Sequence, residues 1–196
     1  SLSQMMNFDV KQFSSDKVLK HLDRVNAWVR GKNPPPVTVE FDMANLCSHK
    51  CPECSGMYFQ DNNNDMLSGK LAESILKQLA EAKIRGLIFT GGGEPLCNPE
   101  TPKMVMFARE IGMDIGFITN GALITEDIAR ILIENCLWVR VSVDAATPDV
   151  YQKTHGMPQE AFQKVLGNLK MLVEIKQRLK ASTTLGVGFL TSRYTK

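Results

Sequence analysis

The sequence predicts an α/β fold built on a parallel sheet, and two observations carry that expectation. Short apolar runs alternate along the chain with longer stretches of helical periodicity, and the connections between runs are long enough to cross over. Crossovers of that length place consecutive strands parallel with right-handed connections. The polar and glycine-rich stretches at residues 47, 91–95, 119–121 and 142–145 each fall where a predicted strand ends. In parallel α/β architectures that end of the sheet is where sites are built.

The elements follow in order. Val18, Leu22, Val25 and Val29 recur at helical spacing, with Ser15 as N-cap and Gly31 just past the end. The "NPPP" segment at 33–36 cannot be helix interior and reads as an extended lead-in. "VTVEFDMA" at 37–44 alternates like a strand. Ser68 opens a helix carrying Leu71, Ile75, Leu79 and Ala82 on one face. "GLIFTG" at 86–91 is apolar without alternation, as a strand covered on both faces should be. Asn98-Pro99 opens the next helix and Gly112 closes it. "DIGFIT" at 114–119 is the third strand, and a helix from Thr125 carries Ile128, Ile131 and Leu132. "LWVRVSV" at 137–143 is the fourth strand, a long helix runs from about Gln159 to Lys180, and "TTLGVGFL" at 183–190 is the fifth strand.

A chain of 196 residues, 43% of them hydrophobic, is one domain in size, with a net charge of +2 that makes no electrostatic case for nucleic acid. No apolar run is long enough for a membrane span, and no signal-peptide layout opens the chain. Five cysteines, three of them clustered, do not read as a secreted disulfide framework; the expected compartment is the reducing cytoplasm.

"CSHKCPEC" brings Cys47, Cys51 and Cys54 into one loop after the first strand, whereas Cys97 and Cys136 each stand alone among apolar residues as packing thiols. Two metal chemistries compete for the three. Structural zinc takes four ligands, which His49 could complete as a Cys3His set. An iron–sulfur cluster also usually takes four thiolates, so three would leave one iron open. "TGGGEP" at 90–95 is a glycine-rich turn without the spacing of a dinucleotide fingerprint. Ser142 and Asp144 alternate at the fourth strand's end and so point to one side. Asn120 sits in a "TNG" turn, and His155 reads as a solvated histidine at a helix end.

Together, C-x3-C-x2-C after the first strand, Gly92-Gly93-Glu94-Pro95 after the second and Ser142-x-Asp144 on the fourth resemble the radical S-adenosylmethionine (SAM) superfamily, from about Pro36 to Leu190. "TPDVYQKTHG" and the helix after it are most similar to the branch with a C-terminal SPASM extension, which includes peptide and protein maturases and related dehydrogenases. The resemblance implies a partial (β/α)6-type open barrel, here with about five parallel strands and an N-terminal helix. Residues 1–36 form the helix and lead-in, and 37–196 form a core expected to be truncated at its C-terminus. It implies that Cys47, Cys51 and Cys54 hold a [4Fe–4S] cluster. Gly92, Gly93 and the Glu94 carboxylate would face SAM's methionine part, Ser142 and Asp144 its ribose, and Asn120 would face SAM as well. No catalytic residue is assigned. The implied reaction is reductive cleavage of SAM to a 5′-deoxyadenosyl radical that takes hydrogen from a peptide, protein or small-molecule substrate. A donor such as flavodoxin or ferredoxin would supply the electron. A non-catalytic Cys3His zinc module and an iron–sulfur electron carrier remain the alternatives. One departure is Glu53, directly before the third cysteine, where family members commonly carry an aromatic residue.

Overall fold

The computed structural model describes residues 19–56 and 65–195. Ser15 and Val18, expected in the first helix, lie outside them. The chain divides into two compact units, 1–37 and 38–196. In the first, α1 (Leu22–Val29) is followed by Gly31 at a φ of +73°, and the Arg24 guanidinium donates to the Pro35 carbonyl at 2.9 Å.

The second unit alternates strand and helix: β1 (Thr38–Asp42), α2 (Gly69–Glu81), β2 (Gly86–Thr90), α3 (Thr101–Glu110), β3 (Asp114–Thr119), α4 (Glu126–Asn135), β4 (Trp138–Ser142), α5 (Pro148–His155), α6 (Glu160–Leu179) and β5 (Thr184–Gly188). The five strands form one sheet in sequential order, and every neighbouring pair is parallel. The α/β class and the five parallel strands are therefore as the sequence predicts.

Register explains the core. Phe41, Phe89, Phe117 and Val139 stand side by side across four strands, all buried. They share one apolar cluster with Leu76 of α2, Val105 of α3, Leu132 of α4 and Val165 of α6. On the opposite face of the sheet the Trp138 ring lies over Gly116, where a Cβ would come within 2.2 Å of it. β5 pairs only with β4 among the described residues, and its Val187 is 56% exposed.

Helix starts follow cap chemistry. Ser68 Oγ accepts from Leu71 N and Thr125 Oγ1 from Ile128 N, each at 3.3 Å, which satisfies one orphan donor of α2 and of α4. α3 begins at Thr101 rather than at Pro99. A 3-10 turn at Pro95–Cys97 comes first, and the Asn98 side chain accepts from Glu100 N at 2.9 Å, turning the chain before the helix opens. Among the described residues, no helix is long and apolar enough to cross a membrane.

Candidate functional site

The C-terminal ends of the strands open onto a cavity of about 240 Å³. Cys47, Cys51 and Cys54 line it, and so do Gly93, Glu94 and Asn120. Ser142 and Asp144 complete the set the sequence singled out. Gly92 alone of the expected residues lies elsewhere: it lines a second hollow, beside Asp42 and Gly56, and donates its N–H to Asp42 Oδ2 at 2.7 Å.

Glu94 is 2% exposed, and its carboxylate is tied into the protein. Oε1 accepts from Leu96 N at 3.2 Å and from the Thr119 hydroxyl at 2.7 Å, while Oε2 accepts from Asn120 N at 2.7 Å. The side chain thus joins the end of β2 to the end of β3. Burial raises its pKa, and these three hydrogen bonds oppose the rise. Gly93 has a packing reason of its own, since a Cβ there would sit 2.3 Å from the Ala44 carbonyl oxygen and 2.4 Å from that of Leu46. The Glu94 N–H donates to that same Leu46 carbonyl at 2.9 Å, anchoring the entry to the cysteine loop.

Asn120 reaches from β3 toward the loop: its Nδ2 donates to Ser48 Oγ at 3.0 Å and lies 3.8 Å from Cys47 Sγ. Cys47 Sγ also accepts from His49 N at 3.4 Å. Burial is the largest influence on both Cys47 and Cys51; it raises the pKa of Cys47 and pushes that of Cys51 up to about 12, with neighbouring thiols adding to the shift. Such thiols become ligands by exchanging the proton for a metal.

The contacts of three groups, His155, His49 and Tyr151, were not visible in the sequence. His155 is not solvated: it is 2% exposed, its Nε2 lies 2.8 Å from the Val143 carbonyl, and its Nδ1 lies 3.3 Å from Cys51 Sγ. A carbonyl only accepts, so Nε2 carries the proton and Nδ1 faces the thiol. His49 turns its Nε2 to the Tyr151 hydroxyl, 2.9 Å away, and Tyr151 is fully buried. Burial lowers the pKa of both histidines to about 4, so both are neutral near pH 7. The available signal was the i, i+4 spacing of Tyr151 and His155, which puts both on one face of α5.

Asp144 has a φ of +47°, a backbone region that Asp tolerates better than most residues. Its Oδ1 accepts from Leu190 N, and its Oδ2 lies 3.9 Å from His155 Nε2. Glu53, in the position of the missing aromatic, meets Arg193 Nε at 3.3 Å.

The donor set fits a cluster better than a single ion. His49, the residue the sequence offered to complete a Cys3His set, turns its Nε2 to the Tyr151 hydroxyl. Among the described residues, no group of three or more His, Cys, Asp or Glu side chains is arranged to hold one metal ion. Three thiols lining one cavity suit ligands that each bind a different iron.

Comparison with known proteins agrees with this geometry. Residues 42–192 match the Radical SAM superfamily. An AdoMet-dependent heme synthase of Methanosarcina barkeri is 22% identical over 151 residues, 76% of this chain and 43% of that protein. The mycofactocin maturase MftC of Mycobacterium tuberculosis is 26% identical over 153 residues, 78% of this chain and 36% of the other. The structure of Streptococcus suis SuiB bound to precursor peptide SuiA superposes with a TM-score of 0.65 at 15% identity, covering 96% of this chain and 42% of that one. The chain thus spans less than half the length of these relatives. The resemblance to a branch that contains maturases is borne out by such matches.

Proposed function

This chain belongs to the radical SAM superfamily, and from that premise we propose that it is the SAM-cleaving core of an enzyme that abstracts hydrogen from its substrate. The observation that carries the reading is one cavity lined by three thiols of a single loop and by the polar ends of β2, β3 and β4.

Cys47, Cys51 and Cys54 would each hold one iron of a [4Fe–4S] cluster, and SAM's amino and carboxylate groups would take the fourth iron. When bound, the cluster supplies the electron that cleaves SAM to a 5′-deoxyadenosyl radical. The remaining work falls to this chain's residues. The main chain at Gly93 and Glu94 offers acceptors for SAM's ammonium; the Glu94 carboxylate already holds three protein donors and mainly fixes that corner. Gly92 acts behind the site, through its bond to Asp42. Ser142 and Asp144 line the cavity and would accept from SAM's ribose hydroxyls, and Asn120 spans from the end of β3 to the cysteine loop. A flavodoxin or ferredoxin type of donor would deliver the electron. The substrate is a peptide, protein or small molecule. A peptide is supported by relatives whose names include a maturase and a structure with a precursor peptide.

Anaerobic reconstitution should give about four irons and four sulfides per chain. Cys51→Ala should abolish this and Cys136→Ala should leave it intact. Reduction in the presence of SAM should then release 5′-deoxyadenosine. Zinc in place of iron and sulfide would select the Cys3His module, and a cluster that never cleaves SAM would select an electron carrier.

A further inference from the structure

Four contacts run from three consecutive residues of the cysteine loop to the last turn of α5. His49 Nε2 meets the Tyr151 hydroxyl at 2.9 Å, and Cys51 Sγ meets His155 Nδ1 at 3.3 Å. Lys50 N donates to the His155 carbonyl at 3.1 Å. The Lys50 carbonyl oxygen passes so close to Gly156 that a Cβ there would lie 2.2 Å from it.

The turn making these contacts is itself fixed. Tyr151 packs against Phe162 of α6 with ring centroids 5.4 Å apart, and against His155 at 4.2 Å. His155 Nε2 donates to the Val143 carbonyl just beyond β4, so one imidazole joins a cysteine ligand to the strand end that carries Asp144. Gly156 ends α5 in the left-handed region at a φ of +62°.

We propose that the last turn of α5 is a bracket that preorganises the cysteine loop, with Tyr151, His155 and Gly156 as positioning residues. The inference rests on the proposal that this loop holds the cluster, but the bracket exists without the metal. A loop of three ligands with no regular structure would otherwise lose considerable backbone freedom on loading. Here the protein has already lost it, and groups that orient metal ligands in this way commonly matter tenfold or more to retention.

Gly112 supplies the control. It too ends a helix with a positive φ, +87°, yet nothing lies within 4 Å of where its Cβ would be. Gly112→Ala and Gly156→Ala therefore carry the same kind of backbone strain, and only the second displaces the Lys50 carbonyl. In the metal-free chain, iodoacetamide labelling of Cys51, resolved by peptide mass mapping, should be about tenfold faster in Gly156→Ala than in Gly112→Ala. Tyr151→Phe, which keeps the packing and loses the His49 contact, should also label faster than the unaltered chain. In the reconstituted protein, Gly156→Ala and Tyr151→Phe should release iron to a chelator about tenfold faster and alter the EPR g-values of the reduced cluster. Labelling rates that match the unaltered chain in Tyr151→Phe and match Gly112→Ala in Gly156→Ala would overturn the bracket. Failure of the unaltered chain to take up iron would overturn the cluster assignment instead, while labelling would still report on the bracket.

Discussion

The Glu94 corner and the cysteine loop face the same cavity and are built in opposite ways. At the corner a buried carboxylate takes three side-chain and backbone donors, one from the 3-10 turn that follows it and two from the end of β3. The loop's internal bonds are short-range, between Cys54 N and the Cys51 carbonyl, His49 N and Cys47 Sγ, and Ser48 Oγ and His49 Nδ1, and much of its anchorage comes from Asn120 and α5. On the proposed reading the corner belongs to the fold's stability, while the loop carries the ligands and takes much of its shape from neighbours.

The sharpest way to break that comparison is to remove each element and measure stability by urea unfolding of the metal-free chain. Glu94→Ala should cost on the order of 2–5 kcal/mol, because Thr119, Asn120 N and Leu96 N become buried donors without an acceptor. Cys51→Ala should cost under about 1 kcal/mol in the same assay, since it removes one half-buried thiol from a loop. Equal costs would mean that the loop is structural after all.

A smaller effect sharpens the division between holding the fold and meeting the cofactor. Asp144→Asn keeps a residue that tolerates the φ of +47° and keeps an acceptor for Leu190 N, but removes the charge. SAM affinity of the reconstituted chain should fall by about 1 kcal/mol, the difference between a charged and a neutral hydrogen bond. Calorimetric titration giving unchanged affinity would remove the ribose role from Asp144.

The same contrast explains what was legible in the sequence. Strands β2 and β3 are apolar runs whose ends are marked by glycine and a polar turn, so their positions follow from local pattern. Asn120, Ser142 and Asp144 lie within two residues of a strand end and Glu94 four residues beyond β2, so their place beside the cavity follows from the strand pattern. The start of α3 was missed because the buried 3-10 turn at Pro95–Cys97 intervenes before Thr101. His155 was misread because its neighbours in sequence, Lys153 and Thr154, are polar, while its burial depends on Cys51 and Val143, far along the chain or in another element. Gly92 donates its N–H to Asp42, a partner 50 residues away that no local pattern shows. Local chemistry was readable; partners brought by the crossovers were not.

The central claim is that three thiolates leave one iron of the cluster for SAM. EPR of the reduced, reconstituted chain, recorded before and after SAM is added, tests it most directly. The account predicts one reduced [4Fe–4S] signal whose g-values shift when SAM binds, with no such signal in Cys51→Ala. A signal unchanged by saturating SAM would mean that no iron is open to it, and would contradict the account.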